Sequence, residues 1–180
     1  MPLKSSSIKK SLCSAIALCC MAAPVLAKET LPNVELTGGL LFQIIASEFA
    51  LQRHDLGTAF QTYMQTARTT KDPRLAQRAF EIADAAHAFE LAGEASKLWE
   101  TLAPENENAQ LANLLSQIRQ GENSESLAKK AHKLIAESAN QTEKLQRFQA
   151  IAIQAELGNW QPQEMLNFLR PLASLCKEQK

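Results

Sequence analysis

Cysteine is nearly absent from the part of this 180-residue chain that could fold. Three of its four cysteines, Cys13, Cys19 and Cys20, fall within the first 20 residues, which leaves Cys176 alone. A single thiol closes no internal disulfide, and Cys176 is expected to be free and partly buried. Glycine is scarce too, with six in all, and no glycine-rich loop is present to cradle a phosphate or dinucleotide. The apolar run at residues 12–23 is shorter than the roughly 20 residues needed to span a bilayer as a helix. Strand alternation and hairpin-turn signals are missing throughout. There is no HExxH motif and no nucleophile elbow. His54, His87 and His132 stand far apart without a second ligand at metal-site spacing. Glu81 and Asp84 are neighbours on a helical period, which reads as a solvated acidic face. No basic stripe argues for nucleic acid or an anionic membrane.

What is there begins with a leader. Lys4, Lys9 and Lys10 precede the short apolar run, and Pro24-Val25-Leu26-Ala27 follows with small residues where a signal peptidase needs them. Residues 1–27 read as a secretory signal cleaved after Ala27. Lipid attachment at Cys19 or Cys20 would need a small residue just before the cysteine, and Leu18 and Cys19 occupy those places. Cleavage removes three lysines and no acid, leaving 16 basic against 19 acidic residues, a net charge of −3. About 150 residues remain, one domain's worth of chain.

Residues 28–37 carry no helical period and read as an extended lead-in. Helical hairpins then fill residues 38–176, with 177–180 as a tail. Thr37 is placed to cap a first helix whose apolar positions are Leu40, Leu41, Ile44, Ile45, Ala46, Phe49 and Leu51. Asp55 caps a second, with Ala59, Phe60, Tyr63, Met64 and Ala67 inward. Asp72-Pro73 starts a third, which carries Leu75, Ala76, Ala79, Phe80, Ile82, Ala83 and Ala86. A fourth carries Leu91, Ala95, Leu98, Trp99 and Leu102. A third hairpin follows, with Gly121 ending its first helix and Ser124 or Ser126 opening its second. In a fourth pair Leu145, Phe148, Ile151, Ala152, Ala155 and Leu157 form the first helix. Pro162 suits the first turn of the last helix, and Pro171 is expected to kink or shorten its end.

A small residue followed four places on by a large apolar one recurs at Ala59/Tyr63, Ala95/Trp99 and Ala131/Ile135, 36 residues apart. That recurrence marks stacked helical hairpins. It resembles the tetratricopeptide repeat, whose second helix carries alanine and then an aromatic at this spacing. Leu157-Gly158 followed by Asn159-Trp160 resembles the turn of such a repeat. Glu35-Leu36-Thr37-Gly38 through Leu51-Gln52-Arg53, Asp72-Pro73-Arg74-Leu75-Ala76, Arg78-Ala79 and Leu98-Trp99 are more particular. They are similar to the N-terminal part of exported tetratricopeptide-repeat proteins of Gram-negative proteobacteria, many of them outer-membrane lipoproteins. The fold expected is all-α, about four antiparallel hairpins stacked as a short right-handed solenoid.

The resemblance implies a groove lined by the first helix of each hairpin. Its register puts Leu41, Ile44, Glu48 and Leu51 there from the first hairpin, Gln77, Phe80, Asp84 and His87 from the second, and Asn113, Ser116 and Gln120 from the third. It also implies a compartment, the periplasm, and a role without chemistry or cofactor. The chain would bind a protein or peptide at the cell envelope as an adaptor or assembly factor, touching a membrane only if lipidated or through a partner. Two other readings remain open. One is self-association through an uncapped last helix, with Leu169 and Leu172 at the junction near Cys176. The other is an envelope enzyme domain.

Overall fold

Short polar side chains start most of the helices. In the computed structural model, which describes residues 34–177 apart from 36, 123 and 159, Thr37 accepts a hydrogen bond from the Leu40 backbone N–H. That cap opens α1 (Gly38–Gln52). Asp55 caps α2 (Leu56–Thr70) through the Thr58 N–H, and Asp72 caps α3 (Pro73–Ala85) with Pro73 at its first position. Asn106 caps α5 (Glu107–Arg119), Ser124 caps α6 (Glu125–Ala136) and Asn140 caps α7 (Gln141–Leu157). Two helices begin without a side-chain cap, α4 (Phe89–Leu102) and α8 (Pro162–Leu175), the latter with Pro162 where the missing N–H is not needed. α7 starts one turn before Leu145, the first apolar residue read on it. Pro171 does not shorten α8, which continues through it to Leu175.

Every regular element among the described residues is a helix, and each helix packs on its sequence neighbour to form a stack. Three of the corners share one geometry. His54, His87 and Gly121 adopt left-handed backbone conformations, φ 60°, 55° and 83°. At each corner the N–H of the following residue bonds back five places, from Asp55 to Ala50, from Ala88 to Ala83 and from Glu122 to Gln117. This is the Schellman closure, in which a left-handed residue ends the helix and turns the chain. The corners recur after 33 and then 34 residues, shorter than the 36-residue spacing of the alanine–aromatic pairs. In this register Ala92 and Ser96 stand where Ala59 and Tyr63 stand in the first hairpin. Ala59, Tyr63, Ala95, Trp99, Ala131 and Ile135 are all buried nonetheless.

The core forms where alanines let helices approach. Ala59, Phe60, Tyr63 and Met64 of α2 meet Ala79, Ile82 and Ala83 of α3 and Ala92 and Ala95 of α4. Trp99 joins Ala67, Ala76, Ala109 and Ala112, with the Phe80 ring 6.0 Å from its own. A separate cluster binds Leu114 and Ile118 of α5 to α6, α7 and α8 through Leu134, Ile135, Ile151, Phe168 and Leu172. Leu172 is 2% exposed, and Leu169 packs against the same cluster. Leu172 is therefore used inside the stack, while Leu169 stays partly exposed.

The first helix departs furthest from expectation. Of its residues only Ser47 is buried. Leu41, Ile45 and Phe49, expected on an inward face, are exposed, as is Phe42. The apolar period is real, but the side of α1 that carries most of it has no neighbour among the described residues.

Candidate functional site

Successive hairpins bring α3, α5 and α7 side by side, and a cavity of about 140 Å³ opens between them. Phe80 and Asp84 of α3, Ser116 and Arg119 of α5, Gln154 of α7 and Phe89 at the start of α4 line it. Arg119 is the most constrained of these. Its guanidinium carbon sits 3.8 Å above the Phe89 ring centre, and Nη1 donates to Oε1 of Gln154 at 3.2 Å. Stacking holds the plane of the group while several of its five donors stay available to a ligand. Asp84 of α3 lines the same cavity and makes no ion pair with Arg119. The cavity thus offers an acceptor on Asp84, a donor on Arg119 and aromatic surface on Phe80 and Phe89. A peptide backbone, which carries both N–H and C=O, has the matching complement.

A wider, open depression of about 760 Å³ adjoins it between α4 and α5. Glu90, Glu94 and Lys97 line one side, Asn113, Ser116 and Gln120 the other. The Gln120 amide reaches over Gly93 toward the Phe89 carbonyl at 3.5 Å.

The residues expected to share one groove are therefore divided. Phe80, Asp84 and Ser116 come together in the smaller cavity. Gln120 belongs to the wider depression alone, and Asn113, 7% exposed, donates there to Glu100, which also pairs with Lys130 at 2.7 Å. Gln77 bonds along its own helix to Glu81 at 2.9 Å. His87 is an exposed corner residue, its ring 5.9 Å from that of Phe89. Leu51 packs against the α2–α4 core, and Ile44 lines a shallow depression with Leu40, Asp72 and Leu75. Leu41 is on the uncovered side of α1.

Glu48 is already engaged. Its Oε1 accepts from the Tyr63 hydroxyl at 2.5 Å, and both its oxygens accept from Arg78 at 3.3 Å. The Tyr63 hydrogen bond, with help from Arg78, holds the Glu48 carboxyl below its ordinary range despite some burial. Burial first, and the Glu48 carboxylate second, push the Tyr63 phenol up to about 12. This network ties α1, α2 and α3 together and leaves Glu48 little capacity for a ligand.

Arg119, Phe89 and Gln154 were not among the expected groove residues. The signal that leads to Arg119 is the corner spacing. Counting from Gly121 as the counterpart of His87 aligns Arg119 with Ala85, beside Asp84. Among the described residues no group of three or more His, Cys, Asp or Glu side chains is arranged to hold a metal ion, and no helix is long and apolar enough to cross a membrane.

No family model matches the chain. Over 87 residues it is 36% identical to the TPR repeat-containing protein PA4667 of Pseudomonas aeruginosa. The likeness covers 48% of this chain and 15% of that protein, so the chain spans only a small part of the relative's length. Together with the stacked helices, the match supports a tetratricopeptide-type helical-repeat protein, a class of interaction modules.

Proposed function

We propose that this chain is a non-enzymatic module, exported to the periplasm, that holds a protein or peptide partner at the cell envelope as an adaptor or assembly factor. The binding seat is the cavity shared by α3, α5 and α7. One observation carries the reading: Arg119 is stacked on Phe89 and steadied by Gln154 in a cavity that Asp84 also lines, with no ion pair between the two charges. An arginine held this way is pre-organised for an acceptor group, which lowers the ordering cost of binding an extended segment. The basic leader and the Ala27 cleavage pattern support export. The named relative supports binding in general, and the particular partner class comes from the donor–acceptor layout of the cavity.

A photoreactive residue at Asp84, compared with one at the exposed α6 position His132, tests the seat in intact cells. A discrete protein crosslinked from position 84 alone, and lost when Arg119→Ala is added, is the expected result. Equal labelling from both positions would remove the groove as the binding site. Fractionation that leaves the chain in the cytoplasm with its leader intact would overturn the exported reading independently.

A further inference from the structure

The left-handed corners give a register in which α1 can be compared with α3. Set back by 33 residues, Phe42 stands where Leu75 stands and Phe49 where Ile82 stands. On α3 those two side chains pack into the core that joins it to α2. On α1 the same positions are open: Phe42 is 71% exposed and Phe49 59%, with Ile45 between them. The face therefore holds two helix-packing positions of the stack, Phe42 and Phe49, with no helix on them, while Ile45 stands where α3 carries Arg78.

Its pattern says what kind of helix would fit. Positions 42, 45 and 49 follow the three-then-four spacing of a two-helix seam. No charge interrupts it, because Glu48, the only ionisable residue on α1, is held by Tyr63 and Arg78. The last helix of a second copy is a poor match, since Phe168 and Leu172 are buried and Leu166 is the only large apolar side chain exposed on α8. The exposed Leu145, Ile153 and Leu157 of α7 are separated by Gln149 and do not form a continuous stripe. Another α1 matches in length, apolarity and neutrality.

We infer that two copies of the chain pair through α1, with Phe42, Ile45 and Phe49 of each against those of the other. The contact is isologous, the commonest symmetry for soluble oligomers. Four side chains of this exposure, counting Leu41, present apolar area on the order of 400 Å² per copy. Both copies together bury about half of a standard 1,600 Å² interface. The pair is accordingly weak and reversible.

Sedimentation velocity on protein purified from cells expressing the full chain tests this, over about 10 to 500 μM, a range wide enough to reveal a weak, reversible pair. A monomer–dimer equilibrium is expected, abolished by Phe42→Ser/Phe49→Ser with the helical circular dichroism unchanged. Ile45→Cys, at the middle of α1, is expected to crosslink to itself under mild oxidation in a Cys176→Ser background, whereas Lys97→Cys does not. A chain monomeric at every concentration, because its own leader, another protein or nothing covers α1, overturns the inference. So does a dimer that survives the double serine variant.

Discussion

Tyr63 donates its hydroxyl to Glu48 at 2.5 Å, and it is the chain's only tyrosine. One optical signal therefore reports on the junction of the first three helices. Phenolate absorbance at 295 nm should titrate near pH 12, against about 10 for a free tyrosine. Because the folded value is raised, the stability tied to the neutral phenol is fully present below pH 10 and is lost as pH climbs through 12. Glu48→Gln should move the midpoint down without returning it to 10, since burial is the larger cause. A midpoint near 10 in the intact protein would mean that the hydroxyl is solvated.

Gly158 is fixed by proximity. A Cβ there would stand 2.6 Å from the Ile118 carbonyl oxygen and 3.0 Å from those of Arg119 and Gln154, all backbone atoms. The Trp160 indole N–H donates to the same Ile118 oxygen at 2.8 Å, so the α7–α8 corner clamps the end of α5. Gly158→Ala should cost about 1–3 kcal/mol through overpacking, and Trp160→Phe about 1 kcal/mol for the lost hydrogen bond alone. Urea unfolding midpoints measure both.

Arg147 is a charged residue inside the second core, with a side chain 9% exposed. It donates to the Leu134 carbonyl and pairs with Glu107 and Glu143, so one guanidinium connects α5, α6 and α7. Arg147→Lys keeps the charge but cannot reach three acceptors at once. It should lose about 1–3 kcal/mol in chemical denaturation, close to the loss for Arg147→Ala. If lysine restored full stability, the fork geometry would be irrelevant.

Asp72 caps α3 and pairs with Arg74 at 2.5 Å. The Arg74 hydrogen bond holds its carboxyl below the usual range, outweighing partial burial. A lowered folded value means that this contribution is present above the unfolded carboxylate's pKa, about 3.9. It is lost as pH falls through the folded value. Asp72→Asn should keep the cap and flatten that acid dependence in melting curves taken from pH 5 to 2, whereas Asp72→Ala should also lose about 1 kcal/mol at neutral pH.

Much of the fold could be read from local chemistry. Thr37, Asp55, Asp72 and Ser124 announced their helices because a short oxygen acceptor beside an apolar period has few other uses. Asn140 did not, since the polar Gln141-Thr142-Glu143 that follows hides the start of α7. The repeat length was obscured for a similar reason. A left-handed corner is usually marked by glycine or asparagine, and histidine occupies two of the three. Of the expected groove residues, Phe80, Asp84 and Ser116 share the smaller cavity, and Asn113 lines the wider depression beside Ser116. The obscured register left Arg119 unnoticed as one more basic residue in a helix's last turn. For α1, periodicity identified an apolar face, but which side is covered depends on a neighbour that periodicity does not name.

α5 belongs to two apolar clusters at once. Ala109 and Ala112 serve the one around Trp99, while Leu114 and Ile118 serve the one around Ile151. With no side chain shared between those clusters, losing one does not directly unmake the other. Backbone amides of α6 to α8 can then open to solvent while α1 to α4 stay closed. Those of α5, held from both sides, would be the last to exchange.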